Sequence, residues 1–221
     1  MMKQHNRVAA SAAALLVTAT ALTFDAGTTP VLAQAQAGAQ SPTGWHVASE
    51  GNEARYRVRE QLARLDFPND AVGRTSEISG AITVDAAGNI VAGASRFTIN
   101  MAALESDSDR RDNFIRRNTL QTADHPDAVF VPTSFSGLAF PLPESGVLQF
   151  RMTGDLTIRG VTRPVTWDVM ARVSDDGALR GEATTQFTFA DFDITKPRVA
   201  SVLSVADDIR LEYTFHLLPA R

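Results

Sequence analysis

From Val147 to Val173 apolar and polar residues alternate almost without interruption, broken by one short turn. One side of the first arm carries Leu148, Phe150, Met152, Gly154, Leu156 and Ile158; the other carries Gln149, Arg151, Thr153, Asp155, Thr157 and Arg159. The turn reads Gly160-Val161-Thr162-Arg163-Pro164, and the second arm sets Val165, Trp167, Val169, Ala171 and Val173 on one side. A period of two means β-strands with two unlike faces. Two such arms across a Gly/Pro turn predict an antiparallel hairpin. One of its faces has to be hidden from water, so the fold is constrained to supply a cover.

The same period recurs along the chain. Ala54 to Arg59 alternates Ala54, Tyr56 and Val58 against three arginines. Glu77 to Asp85 and Ile90 to Met101 read as two strands linked across Asp85–Asn89, the second presenting Phe97, Ile99 and Met101 on one face. Ala128 to Phe135 is a further strand, in which Pro132 predicts an edge or a bulge. Leu179 to Phe189 sets Gly181, Ala183, Phe187 and Phe189 on one face, and Ile209 to Leu217 sets Leu211, Tyr213 and Phe215 there. Pro68, Asn69 and Asp70 break the pattern and predict a loop from Leu62 to Gly73. Ser106 to Leu120 predicts the one short helix: Asp107, Asp109 and Asp112 lead, Arg116 and Arg117 follow, and Ser106 or Ser108 can cap it. Asp112 and Arg116 are spaced for an i,i+4 pair. About eight strands and one helix make an all-β sandwich or barrel, and eight antiparallel strands suffice to close and remove the edges.

The N-terminus reads as a different kind of segment. Lys3 and Arg7 precede an apolar, Ala- and Leu-rich run from Val8 to Phe24, and Val31-Leu32-Ala33 supplies a small-x-small site. Residues 1–33 are therefore expected to be a secretory signal peptide, cut after Ala33, with Ala35 and Ala37 as alternative sites. Residues 34–44 are expected to be a flexible leader and residues 45–221 the barrel domain, in a periplasmic or extracellular setting. Loss of Lys3, Arg7 and Asp25 would leave 19 basic against 24 acidic residues, a net charge of −5. A mildly acidic domain is poorly suited to nucleic acid or anionic surfaces. The chain has no cysteine, which excludes disulfides, a thiol nucleophile and a thiolate metal site.

Catalytic chemistry finds little support. After the expected signal only His46, His125 and His216 remain, none at i,i+4 from another. There is neither a Gly-x-Ser-x-Gly elbow nor a Gly-rich phosphate loop. Asp107-Ser108-Asp109 resembles the start of a calcium loop but lacks Gly at the sixth position and an acid at the twelfth. Asp191 and Asp193 form a carboxylate pair two apart, read as solvated turn residues. A membrane-spanning barrel would carry aromatic girdles at both interfaces, for which only two Trp and two Tyr are available. Binding is better supported. An eight-stranded barrel either fills its interior or holds one small ligand. Gly154, Ala171, Gly181 and Ala183, set among large neighbours, fit either a tapering packed core or open space. A cavity with such a wall suits a long apolar chain better than a sugar or nucleotide.

Several of these residues also carry a family likeness. Gly154-Asp155-Leu156-Thr157-Ile158-Arg159-Gly160-Val161-Thr162-Arg163-Pro164-Val165 resembles the strand–turn–strand of the YceI-like lipid/polyisoprenoid-binding proteins. Ser95 to Met101 with the helix bearing Asp109, Arg110 and Asp112, the Pro126–Phe130 entry, and Phe189 to Ile194 (with Asp193 where the family has Gly) are similar too. The likeness runs from about Trp45 to Leu218. It departs at Val47–Gly51 and around Asp66–Thr75, near the expected tunnel mouth. The resemblance implies a lipocalin-like antiparallel eight-stranded barrel with an apolar tunnel. It implies no catalysis, no metal and no cofactor, but a bound polyisoprenoid or quinone-like lipid. The tunnel wall is then expected to comprise Phe97, Ile99, Met101, Phe150, Met152, Gly154, Leu156, Ile158, Trp167, Val169, Phe187, Phe189, Leu211, Tyr213 and Phe215. As partners it leaves the apolar ligand, transient membrane contact and a homodimer. The competing reading is a stress-protective or protein-interaction domain whose barrel core is filled.

Overall fold

The computed structural model describes residues 43–220. The expected signal peptide and all but the last two residues of the expected leader lie outside them. Ten strands follow in chain order: β1 (Thr43–Val47), β2 (Glu53–Leu62), β3 (Asn69–Thr75), β4 (Ile78–Val84), β5 (Arg96–Asn100), β6 (Asp127–Ser136), β7 (Gly146–Ile158), β8 (Val161–Val173), β9 (Leu179–Thr188) and β10 (Val202–Pro219). All pairings are antiparallel. One helix, α1 (Asp109–Phe114), lies between β5 and β6 and runs on into a wider turn closed by Leu120 N–H to Ile115 O at 2.8 Å.

Ten segments close into a ring of eight staves. The long β10 pairs with β9 along one edge. Along its other edge it meets β2 from Val202 to Thr214 and then β1 from Leu217 to Pro219. β1 in turn pairs with β4, and β2 with β3. β1 and β2 are thus one interrupted stave, and β3 and β4 another. With β5 to β10 they complete an eight-stranded antiparallel barrel. The expected loop from Leu62 to Gly73 is shorter than its turn residues suggested. Asn69 and Asp70 begin β3, where Asp70 faces Arg57 and Arg59 at 3.2 and 3.0 Å. β1 takes in Thr43 and Gly44 from the expected leader, and β5 is only the second half of the expected Ile90–Met101 strand.

The break between β1 and β2 leaves backbone groups of β10 without a strand partner. Asn52, buried at 6 % exposure, supplies the missing amide. Its Nδ2 donates to Ala48 O (2.9 Å) and His216 O (3.2 Å), and its Oδ1 accepts from His216 N–H (3.0 Å) and Tyr213 OH (2.9 Å). A primary amide offers both donor and acceptor, which makes it a side-chain copy of the peptide group it replaces.

The opening hairpin is β7 and β8, and its turn is tighter than expected. Arg159 (φ 52°) and Gly160 (φ 76°) are its only two loop residues, with Ile158 paired to Val161. Two successive left-handed residues match the twist of flanking strands, and Gly at the second adopts that conformation freely. Val161 to Pro164 therefore belong to β8, and Pro164 opposite Asp155 sits before the pairing with β9 begins at Asp168. Its missing N–H is not needed there. Pro132 marks a bulge, the β6–β7 register shifting between Pro132 and Ser134. In α1 the expected Asp112–Arg116 pair does not form. Asp112 turns inward to accept from Ser106 N–H (3.0 Å) and Oγ–H (2.5 Å), while Arg116 donates to Leu104 O (2.8 Å). Ser108 caps the helix, accepting from Arg111 N–H at 3.4 Å.

Asn52→Ala should strand the His216 N–H and the Tyr213 hydroxyl in a buried site. An expected cost of about 1–3 kcal/mol in urea unfolding follows from leaving such groups unpaired. An unchanged midpoint would show that the break does not need its side-chain amide.

Candidate functional site

Inside the barrel is a cavity of about 900 Å³. The interior is therefore not filled by its own side chains, as the packed-core reading required. Every stave contributes to the wall. The mid-barrel is aliphatic and aromatic: Phe97 and Ile99 from β5, Phe130 from β6, Leu156 from β7, Trp167 and Val169 from β8, Phe187 from β9, Leu211 and Phe215 from β10. Phe130 meets Trp167 edge-on at 5.9 Å, and Phe97 meets Tyr213 at 6.5 Å. Ile99, Phe150, Met152, Leu211 and Tyr213 are only partly buried although they point inward, because they border the open interior.

The two ends differ. At one, Phe135, Phe140 and Phe150 cluster with ring centroids 5.6–5.9 Å apart, joined by Leu138 and Leu142. Trp45 closes beside them, its indole N–H donating to Gly177 O at 3.0 Å. At the other end the lining becomes polar. It is built by the β2–β3 loop, α1 and the segment before β10: Glu60, Arg64, Asp107, Ser108, Arg110 and Arg111 appear there beside Phe114, Pro197, Val199 and Val202. Arg111 Nη2 meets Glu60 Oε1 at 2.9 Å, both side chains largely buried, and Arg111 also pairs with Asp107. This ion pair fixes α1 against β2 across the cavity end. Taking both charges out of water is offset only where further hydrogen bonds complete the pair, as the Arg111 contact to Ser106 Oγ (3.4 Å) does.

Fourteen of the fifteen residues expected in the wall border this cavity. Gly154 does not. A Cβ there would lie 2.4 Å from Val131 O and 2.6 Å from Phe130 Cζ, so this glycine admits the neighbouring strand and ring rather than a ligand. Gly181 is alike, its missing Cβ 2.0 Å from Met170 O. Ala171 and Ala183 belong to the wall but are themselves 3 % exposed, covered by larger neighbours. The wall also contains residues that the alternating pattern left out, among them Trp45, Phe130, Phe140 and Leu217. Leu217 continues the apolar face of the last expected strand, and Phe130 lies in the expected Ala128–Phe135 strand, to which no inward face was assigned; Trp45 and Phe140 lie outside the predicted strands and carry no periodic signal.

The polar candidates fall elsewhere. Asp191 accepts from Thr188 N–H (2.6 Å) and Oγ1–H (2.8 Å), which holds its carboxyl below the usual carboxylate range. Asp193 adopts φ 52°, a left-handed position that favours Gly and tolerates Asp. His216 Nδ1 lies 3.1 Å from Glu50 O. Among the described residues no group of three or more His, Asp or Glu is placed to hold a metal ion. Burial pushes the phenols of Tyr56 and Tyr213 far above their usual range, and at Tyr56 this outweighs the opposing influence of nearby Arg111.

The sequence pattern of the YceI-like domain matches residues 45–217, and the chain belongs to this family. It is 34 % identical over 131 residues to a UPF0312 protein of Shewanella denitrificans, an alignment that spans 56 % of this chain and only 63 % of that relative. It is 28 % identical over 164 residues to Protein YceI of Escherichia coli, covering 72 % of this chain and 80 % of that one. In fold it is similar to a polyisoprenoid binding domain from Saccharophagus degradans implicated in plant cell wall breakdown. The TM-score is 0.61 at 13 % identity, over 80 % of this chain and 98 % of that domain.

Two outcomes follow from this geometry. Gly154→Leu should destabilise the fold by about 1–3 kcal/mol, the usual range for overpacking, read from denaturant midpoints. A neutral effect would mean that the strand can move away from Val131. Secondly, the chain has only two tyrosines, so alkaline absorbance titration reports on Tyr56 and Tyr213 alone. Burial raises both in the folded state, so the stability they contribute is complete below the ordinary phenol pKa of about 10 and is lost as pH rises past it. Phenolate absorbance should lag behind that of the urea-unfolded chain; coincident curves would contradict an enclosed setting.

Proposed function

We propose that this chain is an exported, non-catalytic binding protein that holds an isoprenoid or similar long apolar chain inside its barrel. The observation that carries this reading is the size of the cavity together with its lining. About 900 Å³ lies at the upper end of ordinary ligand pockets, roughly 300–1,000 Å³. Water is a poor filler, because the mid-barrel wall offers few groups to hold it by hydrogen bonds. An apolar chain meets the wall on all sides and needs no polar partner until it reaches Glu60 and Arg111.

The polyisoprenoid-binding description of the Saccharophagus domain, on a similar fold, supports the same class of ligand. The Lys3/Arg7 start, the apolar run to Phe24 and the Ala33 site support export to a periplasmic or extracellular compartment. The absence of a convergent acid–base pair in the sequence favours binding over turnover.

Protein purified without organic extraction should release a lipid on native mass spectrometry and solvent extraction. Leu211→Trp enlarges a half-buried inward side chain that borders the open interior and should lower lipid occupancy while leaving the unfolding midpoint near its original value. Recovery of no lipid, together with failure to take up an added fluorescent apolar probe, would overturn the reading.

A further inference from the structure

Two phenols stand in the cavity wall, and their hydroxyls differ in what they meet. Tyr213 Oη–H donates to Asn52 Oδ1 at 2.9 Å and takes part in closing the barrel. Tyr56 has no such partner. Among the described residues no group bonds to its Oη, and packing does not seal the atom off, although the half-buried side chain borders the cavity. A polar group in an apolar wall costs free energy until something completes its hydrogen bond.

The strand opposite fixes where this hydroxyl stands. Tyr56 on β2 faces Gly73 on β3. A Cβ on Gly73 would lie 2.2 Å from Cε1, 2.6 Å from Cζ and 2.7 Å from Oη of Tyr56. The phenol therefore lies across β3 as far as its oxygen, in space that any other residue at position 73 would occupy. Gly73 is not among the glycines with positive φ, so the position needs glycine for the ring and not for its backbone.

The electrostatic setting restricts what the hydroxyl can hold. Tyr56, Val58 and Glu60 follow one another on the inward face of β2, which places the phenol deeper in the barrel than the Glu60–Arg111 pair. The charge of Arg111 favours a phenolate at Tyr56, while Asp112, Glu60 and Asp107 oppose it. Arg111 is already engaged by Glu60 and Asp107. One engaged cation among three carboxylates is a poor place for an anion. Arg64 and Arg110 also border the cavity, but both are exposed and screened by water. Burial holds the phenol protonated well beyond its usual range, so what it offers is an O–H donor.

Resting on the proposed lipid-binding reading, we propose that Tyr56 selects the head of the bound chain, its Oη–H donating to the carbonyl oxygen of an uncharged head group. A few placed polar groups in an apolar pocket are what fix a ligand's orientation. A phosphate head is disfavoured at this depth by the three carboxylates.

The test follows displacement of a fluorescent apolar probe from the full chain and from Tyr56→Phe by three ligands: a long-chain methyl ketone, the alkane of equal carbon number and the corresponding alkyl phosphate. Tyr56→Phe keeps the ring over Gly73 and removes only the oxygen. It should bind the ketone about fivefold more weakly, the order set by one net hydrogen bond, with alkane affinity unchanged. In the original chain the phosphate should bind more weakly than the ketone. An infrared measurement does not depend on the variant. The C=O stretch of the ketone, isotope-labelled at the carbonyl, should lie at lower wavenumber in the original chain than in alkane solvent, and the shift should vanish in Tyr56→Phe. An unshifted band, equal ketone affinity in the two proteins, an equal loss for ketone and alkane, or tighter binding of the phosphate overturns the inference. Uptake by the original chain separates the two ideas: uptake without a ketone preference refutes the role of Tyr56 alone, whereas no uptake of the probe or of any ligand refutes the binding reading beneath it.

Discussion

The structure depends on closing a sheet whose last strand is too long for any single partner. β10 runs for 18 residues, and no other strand covers its whole second edge. Two shorter strands share that edge, and the side chain of Asn52 spans the gap between them with hydrogen bonds to Ala48, Tyr213 and His216. Closure pairs both edges of most staves; among the described strands β3 keeps one edge, touched only by the bridge from Arg74 to Glu105. Closure also forces every inward side chain to face others across the axis, and the breadth of the ring determines whether they meet. With eight staves the answer lies in side-chain size. Here the inward side chains of Ile99, Phe150, Met152 and Leu211 stay partly uncovered, so the axis is not filled.

Much of this was legible in a pattern of period two. The inward faces of β5, β7, β8, β9 and β10 could be assigned because each strand alternates over five or more residues, and one register error would have exposed a whole apolar row. The bulge at Pro132 was legible as well, since a residue without N–H disturbs a ladder wherever it falls. Other features were not. β1 is five residues long and β3 starts on Asn69-Asp70, so turn residues masked both. Asn52 drew no notice because its partners Tyr213 and His216 lie 161 and 164 residues away. Gly154 and Ala183 sit on the same kind of face and differ in outcome. One is pressed by Phe130 and Val131 of the neighbouring strand and the other has room for a methyl group, and a single strand's pattern carries no information about its neighbour's reach.

The polar end shows why the helix lies where it does. α1 is six residues long and is too short to be stable by its own hydrogen bonds. Arg111 ties it to Glu60 on β2, while Asp112 on the next position turns back to Ser106. The acidic residues that looked like a dipole-matching front are thus divided: Asp107 and Asp112 hold the local structure, and Asp109 faces solvent. Removing one partner of the Arg111–Glu60 pair would leave the other largely buried without its counter-charge, which is costlier than never having had the pair.

On the proposed reading, this division of the interior also sets what kind of selectivity the barrel can have. Apolar contact is non-directional, so the mid-barrel wall distinguishes ligands by volume and length. Each methylene buried contributes about 0.8 kcal/mol, and affinity rises with chain length until the cavity is full, after which added carbons meet the aromatic cluster at Phe135, Phe140 and Phe150. Direction comes only from the other end, where the ionised groups stand. A polar head is favoured there over the aromatic end because a polar group buried among phenyl rings finds no hydrogen-bond partner. The ligand therefore has one stable orientation, head toward α1 and tail toward Trp45, even though most of its binding energy comes from a wall that cannot tell one end from the other.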